Sequence, residues 1–129
     1  MPFRTIEALT KGLEIALPPG HEFHDKDGHR RDNVRVKWWD ASAITYRKAG
    51  ILEPGARKEL PATAIPDGSR LGYDGEKPVF FGHYWQTGIP RPLRPKVACV
   101  DYSAGRGGPL VAYRWEGEAE LHAGGFVST

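Results

Sequence analysis

Cysteine and long apolar runs are nearly absent from this sequence. Its single cysteine, Cys99, excludes an internal disulfide framework and favours a reducing compartment. That cysteine lies in the apolar run VACV, which favours a small buried side chain over a reactive thiol. No apolar run approaches the roughly 18 residues that a membrane-spanning helix needs, and the first residues lack the apolar core of a secretory signal. The sequence therefore predicts a soluble, cytoplasmic chain that has no membrane partner.

Charge of one sign is also scarce. The 18 lysines and arginines nearly balance the 16 aspartates and glutamates, which leaves a formal net charge of +2. Such a small excess does not indicate a nucleic-acid partner. Hydrophobic residues (40%) and charged residues (26%) occur at ordinary globular frequencies, and 129 residues suffice for one domain with its own core.

The order of the residue patterns divides this predicted single domain, residues 1–129, into three parts. A front of helix and strand covers residues 1–52, and a long connection with several prolines and glycines covers residues 53–77. A β-rich back covers residues 78–129. Long connections inside compact domains are usually functional or disordered.

The front contains a mixture of patterns. Residues 4–17 carry apolar residues at near-helical spacing and are followed by Pro-Pro-Gly, which predicts a helix. An internal glycine weakens that helix, so a separate strand over residues 13–17 is the alternative. Residues 20–33 are polar and predict a loop or hairpin tip, residues 34–39 predict a strand, and residues 44–49 predict a short helix.

The back contains four runs of β-branched and aromatic residues separated by turn residues. They predict strands of one antiparallel sheet, over residues 78–82, 96–101, 109–115 and 118–122. The glycine-rich stretch DYSAGRGG lacks the Lys-Ser/Thr ending of a phosphate-binding loop and precedes a strand, so we interpret it as a link between strands. The predicted fold class is α+β, with a mostly antiparallel β-sheet in the C-terminal half and short helices.

Potential metal ligands cluster in the polar loop of the front: His21, His24, Asp25, Asp27 and His29. Histidine and aspartate are metal ligands in general, but the glycines and charges here argue against a helix that would bring His21 and His24 to one face. The stretch starts like a calcium loop at Asp25, yet Val36 stands where that loop requires a glutamate. A solvated loop is therefore the favoured interpretation, and a metal site is the alternative.

A histidine follows the apolar strand in PVFFGHYW, residues 78–85. Gly82 permits a sharp turn, so His83 is placed to face a cleft. Neutral imidazole is the commonest side-chain metal ligand, whereas the alternative is a structural histidine hydrogen-bonded in the turn.

The tryptophans likewise allow either an aromatic binding platform or core and edge packing; they are Trp38, Trp39, Trp85 and Trp115.

Several spaced segments together resemble a known family. KPVFFGHYW at 77–85, PKVACVDYSAGRGGPLVAYRW at 95–115 and GE at 117–118 resemble the C-terminal end of calcineurin-like metallophosphoesterases. The closest subset is the serine/threonine protein phosphatase-like or diadenosine-tetraphosphatase-like one. Its members carry a strand ending in Gly-His, a strand ending in Asp, a glycine-rich link and a strand with the pattern Gly-Gly-x-Leu-x-Ala-x-Arg. The segment FHDKDGHRRDNVRVKWWD resembles the region that precedes Gly-His in that subset. The resemblance implies one half of a four-layer α/β/β/α sandwich.

The sequence departs from this family in most of its metal ligands. The family's two-metal site takes ligands from Asp-x-His, Gly-Asp-x-x-Asp, Gly-Asn-His-Glu, a further histidine and Gly-His. Only Gly-His is present, as Gly82-His83, and Trp85 stands where many relatives have another histidine. Asp27-Gly28-His29 spells Asp-x-His, but no apolar strand precedes it and no Gly-Asp-x-x-Asp follows.

The resemblance therefore implies an incomplete site. It makes His83 a metal ligand and assigns no catalytic residue. From their positions in the sequence, and not from any family motif, we expect Asp101 and Arg114 to support the site together with Gly82. Full-length relatives hold divalent metal of the Mn, Fe, Zn or Mg type, and we expect this chain to bind none tightly. A C-terminal fragment, or a naturally shortened relative, of an enzyme that hydrolyses phosphate esters is the main hypothesis, inactive by itself. The alternatives are a non-enzymatic interaction or assembly module and a subunit that rebuilds the site with a complementing chain.

The missing half of the sandwich also predicts a partner. The two sheets of the family fold hide their inner faces against each other, and an uncovered apolar face is unusual for a soluble monomer. The expected inner-face residues are Val79, Phe81, Val97, Cys99, Leu110 and Ala112. We expect a homo-oligomer, by default a two-fold dimer, or a complementing chain.

Overall fold

Two units make up the chain, Met1–Gly72 and Tyr73–Thr129. The computed structural model describes residues 10–69 of the first unit and all of the second. Both units are built from short strands, mostly antiparallel, with few helices, which is an α+β-like architecture. The boundary between the units falls inside the connection predicted over residues 53–77, and a single domain over residues 1–129 stays a prediction. Among the described residues, no helix is long and apolar enough to cross a bilayer.

The first unit contains two antiparallel strand pairs. Its strands are β1 (Glu14–Ala16), β2 (Phe23–His24), β3 (Arg30–Arg31) and β4 (Asn33–Arg35). Strand β1 pairs with β4, which sets Ile15 opposite Val34, and both side chains are buried. Strands β2 and β3 form a hairpin, so the hairpin tip predicted over residues 20–33 is confirmed.

Near the beginning of the described residues, the strand predicted as the alternative over residues 13–17 is present as β1. Strand β1 occupies most of residues 13–17, so the helix predicted over residues 4–17 does not extend to its predicted end. Thr10 and Lys11 are helical, and residues 4–9 lie outside the described residues. Gly12 separates helix from strand with a φ of 92°. A left-handed glycine is the usual way to end a helix, because only glycine adopts that conformation without steric cost.

The predicted strand over residues 34–39 is too long, whereas the short helix after it is confirmed. Strand β4 ends at Arg35, and a turn follows in which the Asp40 N–H donates to the Lys37 carbonyl at 3.1 Å. Helix α1 spans Tyr46–Ala49, and the Thr45 hydroxyl caps it by accepting from the Lys48 N–H.

The core of the first unit draws on strands, helix and connection together. Its buried side chains are Ile15, Leu17, Phe23, Val34, Val36, Ala43, Tyr46, Ala49, Leu60 and Ile65. Leu60 follows a 3₁₀ turn at Arg57–Glu59, so the described start of the connection is ordered by packing and contributes to the core.

The second unit also contains two strand pairs, but they differ in direction. Its strands are β5 (Val79–Phe81), β6 (Val97–Cys99), β7 (Val111–Tyr113) and β8 (Phe126–Ser128). Strands β5 and β6 are parallel, and β7 and β8 are antiparallel. The prediction of one antiparallel sheet is therefore wrong for the first pair. A parallel pair needs a crossover of about a dozen residues or more, and residues 82–96 supply one that contains several prolines and therefore stays non-helical.

The last strand is also displaced from its predicted position. Residues 118–122 form no strand, and the partner of β7 is residues 126–128 instead. Glu118 turns back to bond the Tyr113 hydroxyl, and buried Leu121 donates its N–H to the Pro95 carbonyl. These contacts hold the segment against the unit without a strand ladder.

Strand β6 is the most buried strand of the second unit. Val97, Ala98 and Cys99 are each at most 1% exposed, so both faces of the strand are covered. Cys99 is a free, buried thiol, and burial raises the pKa of that thiol above its ordinary value. The interpretation of Cys99 as a small buried side chain is thus confirmed.

Gly50 offers a test of the first core. A Cβ at this position would clash with Leu60 Cδ1 and lie 3.0 Å from the Tyr46 carbonyl oxygen. Leu60 is fully buried, and the Tyr46 carbonyl belongs to the backbone of helix α1, so neither contact is relieved at the protein surface. We expect Gly50→Ala to lower the free energy of unfolding by about 1–3 kcal/mol, as overpacking does, measured by urea denaturation.

Gly55→Ala is the matched control, because nothing lies within 4 Å of its built Cβ. Its effect should stay within about 0.5 kcal/mol. Equal effects of the two substitutions would show that Gly50 is not packed as described.

Candidate functional site

The parallel pairing of β5 with β6 brings two predicted site segments together. Phe81 lies opposite Cys99, and the Val100 N–H continues the ladder by donating to the Phe81 carbonyl at 2.9 Å. Parallel strands end at the same edge of a sheet, so Gly82-His83 and Asp101 emerge side by side. Open α/β sheets bind their ligands outside this carboxyl edge.

The Asp101 carboxylate organises this edge. Its Oδ2 accepts from the His83 N–H at 2.9 Å, and its Oδ1 accepts from the Ser103 N–H at 3.0 Å. His83 (φ 69°) and Ser103 (φ 67°) are the non-glycine residues with positive φ in the described part of the chain. A left-handed conformation costs about 1–2 kcal/mol per residue. A hydrogen bond to a charged group contributes about 1.5–3 kcal/mol, so one carboxylate is sufficient to offset both strained positions.

The sharp turn therefore lies one residue later than the sequence indicated. Gly82 has no positive φ, and a Cβ there would meet only Asp101 Cβ, at an ordinary 3.8 Å. His83 itself takes the left-handed conformation, and its side chain is exposed. Backbone strain at a non-glycine residue is a feature that clusters at functional sites.

Hydrogen bonds tie the crossover to the end of β6. The Gln86 N–H donates to the Asp101 carbonyl at 2.8 Å, and the Ser103 hydroxyl donates to the Gln86 carbonyl at 3.3 Å. Tyr84 is buried, and its carbonyl accepts from the Cys99 thiol at 3.6 Å. His83 is thus held between anchored residues on both sides.

An aromatic–cation pair lies within the same two segments. The Arg106 guanidinium carbon lies 3.9 Å from the centre of the Trp85 ring, within the range of a cation–π contact. Trp85 is 51% exposed, whereas Trp39 is buried. The tryptophans therefore divide between core packing and exposed surface, and neither sequence interpretation holds for all of them.

The glycine-rich stretch is confirmed as a link, from β6 to β7. Gly107 has a φ of 87°, and a Cβ at Gly108 would clash with the Tyr102 carbonyl oxygen and lie 3.0 Å from that of Ser103. Gly108 is required because backbone packs directly against its Cα. Gly105 has nothing within 4 Å of a built Cβ. These glycines serve a tight chain reversal.

Arg114 is not brought to this edge by any described contact. It follows β7, and its N–H donates to the Gly125 carbonyl at 2.8 Å. In the described ranges, no hydrogen bond or ion pair joins its side chain to His83 or Asp101. The structure therefore groups three of the predicted site residues and leaves the fourth in the β7–β8 pair.

In the polar hairpin of the first unit, the carboxylate of Asp25 is already hydrogen-bonded to its neighbours in the chain. Ligand atoms of Asp25, Asp27 and His29 lie within 4.8 Å of one another. However, Asp25 Oδ1 accepts from the backbone N–H groups of Asp27 (3.0 Å) and His29 (2.9 Å), and its Oδ2 accepts from Arg31 at 2.9 Å. Desolvation raises the pKa of Asp25, but these hydrogen bonds outweigh it and hold that pKa below its ordinary value.

Two histidines of the predicted polar cluster lie outside this group. His24 Nδ1 lies 2.9 Å from Glu59 Oε2, and His21 is exposed. The hydrogen bonds of Asp25 build a turn, which favours the solvated-loop interpretation over a metal site.

Comparison with known proteins identifies no relative. No protein-family model, no curated protein and no solved structure matches the chain.

Replacing Asp101 tests the organisation of the edge. Asp101→Ala removes both acceptors, and we expect the free energy of unfolding to fall by about 1–3 kcal/mol in urea denaturation. Asp101→Asn keeps one acceptor oxygen, so its loss should be smaller.

The strain at His83 gives a second readout. Adding His83→Gly to Asp101→Ala should restore about 1 kcal/mol, because glycine adopts positive φ freely. If Asp101→Ala is as stable as the original chain, the carboxylate does not hold His83 and Ser103.

Proposed function

We propose that this chain supplies the C-terminal corner of a metal-dependent phosphoesterase site of the calcineurin-like type, with His83 as a metal ligand. The observation that carries the proposal is the position of His83. His83 follows the carboxyl end of the parallel strand β5 in a strained backbone conformation, and its N–H donates to Asp101 Oδ2 at 2.9 Å. The resemblance of residues 77–85 and 95–115 to that family supports it. The proposed fold is one half of the family's α/β/β/α sandwich.

His83 and Asp101 have different roles in this proposal. The imidazole of His83 is exposed and free to point outward, whereas both carboxylate oxygens of Asp101 accept backbone N–H groups. Asp101 is therefore a positioning residue and Gly82 a spacer. Within the described residues, Arg114 makes no hydrogen bond or ion pair with His83 or Asp101. In this proposal it would act on the metal site only after a complementing chain has bound.

The residues present do not make a metal site by themselves. Among the described residues, His83 belongs to no group of three or more potential ligands. Two-metal hydrolysis needs ions about 3.5–4 Å apart that clamp the attacking and leaving oxygens. The chain is therefore proposed to be inactive alone and to bind divalent metal weakly. A complementing chain would supply the carboxylate and asparagine ligands.

Complementation tests this function. The chain is combined with a polypeptide that carries Asp-x-His, Gly-Asp-x-x-Asp and Gly-Asn-His-Glu, and hydrolysis of p-nitrophenyl phosphate and its bis ester is followed with Mn²⁺. We expect hydrolysis only in the mixture. His83→Ala should lower it by at least about 100-fold, since even residues behind a ligand typically cost 10- to 100-fold.

His122→Ala is the control, because His122 is also an exposed histidine of the second unit and should leave the rate unchanged. Strong turnover by the chain alone, or a mixture that is indifferent to His83→Ala, would contradict the proposal.

A non-enzymatic assembly module is the second candidate, and one exposed face favours it. Leu110 is 65% exposed and Val127 is 46% exposed, and Val127 lies opposite exposed Ala112 in the β7–β8 pair. Of the other expected inner-face residues, Val97 and Cys99 are buried. This apolar face of β7–β8 is the surface that a second copy would cover in the proposed two-fold dimer.

Sedimentation velocity at micromolar concentration tests the dimer. We expect a dimer that Leu110→Lys converts to monomer, because a charge would be buried in the contact. Ile89→Lys is the control, since Ile89 is 87% exposed but lies in the crossover. A monomer at all concentrations would exclude this assembly.

A further inference from the structure

A second surface of the Tyr73–Thr129 unit has the features of a ligand site, independently of the proposed function. It is a groove of about 550 Å³ at the start of β5, whereas His83 follows the end of that strand. Small-molecule sites have volumes of about 300–1,000 Å³. We call it the aromatic groove, and the lining residues that matter here are Glu76, Lys77, Pro78, Phe80, Trp115 and Glu118.

Two aromatic rings line the groove in fixed positions. Trp115 is 51% exposed, and its indole N–H donates to the Glu118 carbonyl at 3.0 Å. Phe80 is 38% exposed, and its ring centre lies 5.1 Å from that of Tyr113. A ligand would therefore meet rings whose positions are already held, which reduces the entropy lost on binding.

A fixed carboxylate lies beside the rings. Glu118 Oε1 accepts from the Tyr113 hydroxyl at 2.5 Å, and Oε2 accepts from the Glu116 N–H at 2.8 Å. The hydrogen bond from Tyr113 is the main cause that lowers the pKa of Glu118, so this group is ionised at neutral pH. Each carboxylate oxygen has a further lone pair for a ligand.

The charges of the lining favour one sign of ligand. Glu76 and Glu118 contribute two carboxylates against the single ammonium of Lys77, which leaves the lining negative. The faces of aromatic rings are also negative and attract cations. An anion would be repelled by both features, and a neutral apolar molecule would gain nothing from the carboxylates.

We propose that the aromatic groove binds an organic cation, with its alkylammonium or guanidinium head against Trp115 and Phe80 and beside Glu118. The chain contains an internal precedent for this contact, because the Arg106 guanidinium already covers the Trp85 ring. Trp85 and Trp115 are equally exposed, at 51%, yet in the described part of the chain no cation covers the Trp115 ring.

A matched pair of ligands tests the charge requirement on the full chain. Choline and 3,3-dimethylbutan-1-ol have nearly the same shape and differ in carrying a quaternary nitrogen or a neutral carbon. Titrations followed by ¹H–¹⁵N NMR should shift the indole N–H of Trp115 before that of Trp85. Choline should bind about 3- to 30-fold more tightly than the alcohol, the range that a cation–π contact gives.

Variants and a second probe locate the site. Trp115→Leu should abolish the difference between choline and the alcohol, and Trp85→Leu should preserve it. N-acetyl-arginine amide distinguishes the sources of the cation: tighter binding than choline assigns a peptide side chain, and weaker binding assigns a small ammonium compound. Because the shifts are also mapped on the unsubstituted chain, misfolding of a variant does not obscure the result.

Three outcomes would overturn the proposal. They are equal binding of choline and the alcohol, shifts centred on Trp85, and the absence of any shift with either cation at millimolar concentration.

Discussion

The parallel pairing of β5 with β6 is the constraint on which the candidate site depends. It puts the residue after Phe81 and the residue after Val100 at one edge, although the crossover separates them in sequence. Antiparallel pairing of the same strands would have placed Gly82-His83 and Asp101 at opposite ends. Strand direction therefore decides whether these residues form a site at all.

Stability and site geometry share one side chain in this arrangement. The carboxylate that accepts from His83 and Ser103 stabilises two left-handed residues and also sets the direction in which His83 leaves the strand. Strained backbone persists only where the surroundings hold it in place. The anchored crossover provides such surroundings, through bonds from Gln86 to the Asp101 carbonyl and from Ser103 to Gln86.

The two ends of β5 differ in chemistry. The carboxyl end presents an exposed histidine whose backbone N–H donates to an aspartate, and this is the residue proposed as a metal ligand. The amino end opens into the aromatic groove, where Trp115 and Glu118 are fixed by hydrogen bonds within the β7 hairpin region. Phe80 belongs to the groove, and its neighbours in the strand, Val79 and Phe81, face the other side because side chains alternate along a strand.

The sequence by itself determined the local elements, because the spacing of apolar residues, the turn residues and the helix caps act over a few residues. These elements are the hairpin at residues 20–33, helix α1, the burial of Cys99 and the positions of β5, β6 and β7. It also singled out Gly82, His83 and Asp101. Only the tertiary structure decided that β5 and β6 run parallel, that β8 lies at residues 126–128, and that the strain lies at His83. Those features depend on which distant backbone groups meet, and residue type alone does not encode that choice.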